Sequence, residues 1–151
     1  MTETPGNSPA AKEIFGRMVG AVLFLAFLVS SCASVSPPPT RIEQASEQLG
    51  SGTRLYQKGD YAGALAKFRE SLRESLLVDY RKGAADAHNN IGIVLVEQGK
   101  QEEALAHFHD ALETYRTLQD QKGIATALIN AGSAYSTIGR KEQAEQYYRQ
   151  G

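Results

Sequence analysis

Few side chains in this 151-residue sequence can do covalent or metal chemistry: one cysteine, Cys32, and three histidines, His88, His107 and His109. A lone cysteine excludes an intramolecular disulfide. Its thiolate is nonetheless the side-chain nucleophile best suited to taking a covalent group. His107 and His109 stand two apart, which on a helix aims them at different faces, whereas a helical metal pair stands at i, i+4. His88 is read as wedged between helices. The serines have no ordered His/Asp partner, and Glu102-Glu103 and Arg81-Lys82 read as solvated faces or turns. The pattern therefore predicts no catalytic constellation, no metal site and no cofactor.

The elements around these residues say more. Lys and Arg number 16 against 17 Asp and Glu, a net charge of −1. That balance argues against nucleic acid as a partner, because phosphate binding needs a clustered basic face. Residues 1–17 are polar and carry Lys12 and Arg17; Met18 to Val29 is then an unbroken apolar run of twelve. A membrane span needs about 20 such residues. A short apolar core behind a basic region, with small residues at a cut site, is the pattern of a cleavable secretory signal over residues 1–31. Val29-Ser30-Ser31-Cys32 resembles the lipobox of bacterial lipoproteins, although Glu3 and Glu13 in the leading region depart from that family. The resemblance implies diacylglyceration of the Cys32 thiol, cleavage just before it, and acylation of the new amino group. Each buried CH₂ adds about 0.8 kcal/mol of membrane affinity, so two or three chains hold a protein durably where one does not. The alternative is an uncleaved signal anchor with Cys32 as a bystander. Ala33, in place of Asp, resembles lipoproteins sorted to the outer membrane, which implies its periplasmic face. Residues 32–40 form a Ser/Pro tether, and Pro37-Pro38-Pro39 favours extended polyproline II.

After Thr40 the chain repeats itself. Gly52, Gly92 and Gly132 are spaced by forty residues, as are Gly59, Gly99 and Gly139, and Ala64, Ala104 and Ala144. The same interval relates Leu55, Leu95 and Tyr135, and Phe68, Phe108 and Tyr148; Lys82-Gly83 recurs as Lys122-Gly123. Glycine at 59, 99 and 139 ends a helix in the left-handed conformation. Ala64, Leu65, Phe68 and Leu72 then make one amphipathic face. Thr40 with Glu43 fits a capping box opening the first helix. The expected fold is an all-α solenoid of about three helix–turn–helix repeats, at about 41–82, 83–122 and 123–151.

These columns resemble the tetratricopeptide repeat in a forty-residue variant, with Ala87-His88-Asn89-Asn90-Ile91-Gly92 and Ala127-Leu128-Ile129-Asn130-Ala131-Gly132 as its A-x-x-N-x-G signature. Repeat one departs, with Gly50 for the Asn and Ser51 for the apolar residue, and reads as a capping unit. The resemblance implies a concave groove lined by the first helix of each repeat. By matching position it takes Leu49, Thr53 and Tyr56, then Asp86, Asn89, Asn90, Ile93 and Glu97, then Thr126, Asn130, Ser133 and Thr137. Asn90 and Asn130 are the sharpest candidates, because an amide both donates and accepts and so can bond a peptide backbone of any sequence. They are equally explained as solvated, or as bonded to a neighbouring helix. The basic carboxylate clamp of chaperone-binding members is absent at the matching positions.

The leading functional expectation is an adaptor on the bacterial envelope, holding a peptide or partner helix and catalysing nothing. The alternatives are a self-stacking structural subunit and an N-terminal regulatory part of a larger protein. In this register the last helix stops about two turns short. We therefore expect Tyr135, Ile138 and Tyr147 to be partly bare, and the C-terminal edge to be a place for self-association.

Overall fold

A computed structural model describes residues 39–151. The expected signal segment over residues 1–31, Cys32 and the expected tether up to residue 38 lie outside the described residues. The described residues contain six helices and no strand: α1 (Arg41–Gln57), α2 (Tyr61–Leu77), α3 (Arg81–Glu97), α4 (Gln101–Leu118), α5 (Gln121–Thr137) and α6 (Lys141–Tyr148). They form three hairpins, α1–α2, α3–α4 and α5–α6, stacked in chain order, with α1 also touching α3 and α3 touching α5. This is the expected all-α solenoid. None of these helices is long and apolar enough to cross a membrane.

Local chemistry sets the helix ends. The Thr40 hydroxyl accepts from the Glu43 amide at 3.2 Å, and the Thr40 amide donates to the Glu43 carboxylate at 2.7 Å, completing the capping box. Such a cap contributes about 1 kcal/mol. Gly59, Gly99 and Gly139 have φ of +79°, +75° and +79°. Their amides, with those of the residues that follow them, return to the carbonyls of the last helical turn at 2.9–3.1 Å, the double bond of a Schellman turn. Between repeats the left-handed position is filled by Asp79 and Gln119 instead. The helices of repeats two and three start at Arg81 and Gln121, two residues before the periodicity placed them.

One contact recurs in every hairpin. A Cβ added at Gly52 would lie 2.5 Å from the Phe68 ring, one at Gly92 2.5 Å from Phe108, and one at Gly132 2.7 Å from Tyr148. The missing side chain lets the ring come up against the opposing backbone. Phe68 and Phe108 are almost wholly buried, and Ile91, Val94, Leu95 and Leu105 complete a core that reaches Tyr135 in the third hairpin. A second cluster, Ala85, Ala111, Leu112, Tyr115, Ala127 and Leu128, joins the second hairpin to the third.

The expectation for the last hairpin needs correcting. Tyr135 is only 6% exposed. Its ring turns back towards the preceding repeat, where His109 lies 6.3 Å away, and Tyr147 covers it at 5.1 Å. Ile138 and Tyr147 are half-buried, and the residues left bare are Ile129 at 52% and Tyr148 at 46%.

Truncating Phe108 to Ala should cost about 3–5 kcal/mol. Adding a single methyl in Gly92→Ala should cost about 1–3 kcal/mol by overpacking. Denaturant titration measures both, and a Gly92→Ala protein as stable as the parent would mean that the ring does not rest on this backbone.

Candidate functional site

The first helices line a cleft of about 280 Å³. Its walls are Leu49 from α1, Lys82, Asp86, Asn89 and Asn90 from α3, Tyr115 from α4, Asp120 from the turn, and Lys122, Gly123 and Thr126 from α5. Of the residues anticipated from the repeat pattern, Leu49, Asp86, Asn89, Asn90 and Thr126 meet here. Asn130 reaches it through a bond: its Nδ2 donates to Oδ1 of the buried Asn89 at 2.9 Å. Asn90 stands one repeat earlier and faces Leu49, which offers no acceptor in its side chain. Its Nδ2 turns to the Asp86 carbonyl at 2.8 Å. Among the described residues neither Asn90 nor Asn130 uses its Oδ1, so each keeps an acceptor for something else.

Other anticipated residues lie away from the cleft. The Tyr56 hydroxyl donates to Glu97 at 3.2 Å and clasps α1 to α3. Burial raises the Tyr56 pKa, and Glu97 adds to the rise. Ile93 packs on the core, and the exposed Ser133 gives its carbonyl to Thr137.

The cleft holds a charged network centred on Lys82, which the sequence reading placed in a solvated face or turn. Lys82 Nζ lies 3.1 Å from Asp86 Oδ1 and 3.1 Å from Asp120 Oδ2, and 5.6 Å from the centre of the Tyr115 ring. The Tyr115 hydroxyl donates to Asp86 at 2.8 Å. Burial, then Asp86, drives the Tyr115 hydroxyl far above its ordinary pKa, so it stays a donor. Burial pulls Lys82 down, but its bonds to Asp86 and Asp120 outweigh that and hold the ammonium above its usual value. The Gly123 amide, donating at 3.0 Å, and then Lys82 hold Asp120 below the usual carboxylate range. The signal was present in the sequence, since Lys82-Gly83 and Lys122-Gly123 form a column of the repeat. What it lacked was a reason to place that column in the groove. The Tyr115 ring supplies one, for it fills the space a side chain at position 123 would need.

The sequence profile of the tetratricopeptide repeat matches residues 48–117 and again residues 83–151. The chain belongs to the tetratricopeptide-repeat family. No curated protein matches it. Among solved structures it is similar to the crystal structure of the TPR domain of Arabidopsis FLU, at 20% identity and a TM-score of 0.69, over 73% of this chain and 92% of that one. At that identity the likeness concerns the fold. Tetratricopeptide repeats are protein-interaction scaffolds, and this chain carries that scaffold with its cleft on the face made by the first helices.

The histidines also differ from the sequence expectation. His107 and His109 do face apart, His109 reaching the Tyr147 hydroxyl at 2.8 Å. His107, however, meets His88 across the hairpin, Nδ1 to Nδ1 at 2.9 Å, with Asp110 beside them. The expectation of no metal site rested on the two-residue spacing of His107 and His109 and on taking His88 for a packing residue. The Gly92–Phe108 contact brings the turn before Gly92 alongside the turn that holds His107 and Asp110.

Replacing Lys82 by Met should leave Asp86 and Asp120 facing each other unscreened. The Asp120 carboxyl should then titrate closer to its ordinary value in a carbon-detected NMR titration, still held partly down by Gly123. A lowered carboxylate pKa stabilises above its unfolded value, about 3.9, and that stability is lost as pH falls through the folded value. The Met variant should therefore lose part of its acid-sensitive stability, and an unmoved Asp120 would remove Lys82 from the network.

Proposed function

We propose that this protein is a lipid-anchored adaptor of a bacterial envelope, held by acylated Cys32 on the periplasmic face of the outer membrane, with its cleft gripping an extended peptide or partner helix of an envelope complex. The cleft carries the reading. It joins three first helices and offers the acceptors of Asn90 and Asn130, the Thr126 hydroxyl and the apolar Leu49. These groups suit a peptide backbone and one apolar side chain. They present no nucleophile paired with a base, and the reading assigns no catalysis. The anchor is supported by the small residues Ser30 and Ser31 directly before Cys32 and by an apolar run too short to span a bilayer.

Two measurements test the two halves separately. Cys32→Ala should abolish incorporation of radiolabelled palmitate and leave a longer precursor; label that survives would sink the anchor. In cells, a photoreactive residue at Thr126 should crosslink an envelope protein, while one at the exposed Lys67 on α2 should not. Asn90→Ala combined with Asn130→Ala should reduce the Thr126 crosslink about tenfold, the worth of two hydrogen bonds of roughly 0.7 kcal/mol each, with helicity by circular dichroism unchanged. Equal crosslinking from Thr126 and Lys67, or no loss in the double variant, would move the partner off this face.

A further inference from the structure

His88 projects from α3 and His107 and Asp110 from α4, and none of the three lines the cleft. His88 Nδ1 lies 2.9 Å from His107 Nδ1 and 3.6 Å from Asp110 Oδ2, and one ligand atom from each of the three falls within 4.8 Å of the others. Two atoms that each bind one metal at about 2.1 Å, at angles of 90–109°, stand about 3.0–3.4 Å apart. The observed spacings bracket that range. His107 and Asp110, at i and i+3, share one helix face, and the hairpin contact supplies His88 from the other side. Two Nδ1 atoms this close have two arrangements open to them. Either one carries a proton and donates it to the other, or both turn lone pairs towards a shared cation. Asp110 stands close enough to His88 Nδ1 to complete the second arrangement as a third ligand.

We propose that His88, His107 and Asp110 form a binding site for a divalent transition-metal ion of the imidazole-preferring class, with water completing the coordination. A set of two imidazoles and one carboxylate suits Zn²⁺, Ni²⁺ or Cu²⁺ and disfavours Mg²⁺ or Ca²⁺, which take oxygen ligands. Metal binding needs neutral imidazoles. Burial holds both histidines below their ordinary pKa, opposed at each by Asp110 and, at His107, reinforced by His88 and Arg69 and opposed by Glu103. The ion staples α3 to α4 near the Phe108 contact, on a surface that a partner does not have to vacate. This assignment does not depend on the adaptor reading.

The test uses the full chain, untagged and purified in detergent, with Zn²⁺ as the probe. Calorimetry should find one equivalent bound, with Mg²⁺ giving no heat. Zinc at a hundred times its measured Kd should raise Tm by about 10 °C. Asp110 is 60% exposed in its side chain, so Asp110→Asn should fold normally and bind zinc about tenfold more weakly. His88→Gln combined with His107→Gln should bind none while keeping its Tm in EDTA. No zinc binding by the parent protein, or undiminished binding by the double variant, overturns the site. The first result would identify the contact as a hydrogen bond between imidazoles; the second would place the ion elsewhere.

Discussion

At Gly52, Gly92 and Gly132 the chain gives up a side chain so that Phe68, Phe108 and Tyr148 can lie against bare helix backbone. Burying a ring of this size stabilises by about 1.5–3 kcal/mol relative to leaving it exposed. The close approach matters more than the energy. With no Cβ in the way, each ring fixes where its two helices cross and how far one is slid along the other. Tetratricopeptide hairpins repeat that setting, so α1, α3 and α5 come to the same side and touch in turn. The cleft exists because of this placement, and so does the meeting of His88 with His107. A slide of one turn, about 5.4 Å, would separate the two imidazoles and misplace the Tyr115 hydroxyl from Asp86.

The three repeats share a backbone plan but differ in chemistry. Tyr115 in repeat two corresponds to Ser75 in repeat one, forty residues earlier. Ser75 is fully buried and its hydroxyl has no partner, whereas Tyr115 packs its ring on Gly123 and bonds Asp86. In repeat one the ring against the next helix comes from Tyr80, which lies over Gly83 from the turn and so leaves the cleft. The amides follow the same division. Asn130 bonds Asn89 one repeat back, while Asn90, which shares the cleft wall with Leu49, bonds its own helix. Polar order in the groove therefore belongs to the junction of repeats two and three. Repeat one contributes an apolar wall and a firm start, secured by the Thr40 box and by Arg41 donating to the buried Glu74 at 2.8 Å.

What was legible in the sequence follows the range of the interaction. Helix caps and glycine turns are decided within four or five residues, and the Thr40–Glu43 box and the breaks at 59, 99 and 139 could be read directly. The glycine–aromatic columns are periodic, so the repeat and the groove positions Leu49, Asp86, Asn89, Asn90 and Thr126 came from counting. Lys82, Tyr115 and the His88–His107 pair needed the slide between helices, which no local pattern encodes: apart from the Lys82–Asp86 pair at i, i+4, their partners stand 19 to 38 residues away. Tyr135 was misjudged for the same reason. Its column marks the inward face of each first helix, so the preceding repeat covers it whether or not another follows. Within its own hairpin Tyr147 adds cover, its ring centre 5.1 Å from that of Tyr135.

The charged floor bears on what the cleft can accept. Lys82 is matched by two carboxylates, and one of these also holds the Tyr115 hydroxyl. A ligand carboxylate approaching Lys82 would meet Asp86 and Asp120 first, and a ligand ammonium approaching either aspartate would meet Lys82. Like charges brought together in a partly desolvated site are costly, so for the peptide ligand proposed above the network would disfavour strongly charged side chains of both signs. A neutral backbone escapes this, because its amide can donate to the Asn90 and Asn130 oxygens and its carbonyl can accept the second Nδ2 hydrogen of either amide without displacing any ion pair. The same network is fixed before a ligand arrives, tied at once to α3, the turn at Asp120 and the Tyr115 ring, so little ordering is left for binding to oppose. Selection by backbone shape and an apolar contact at Leu49, with charge as a filter, is the specificity that this arrangement of residues supports.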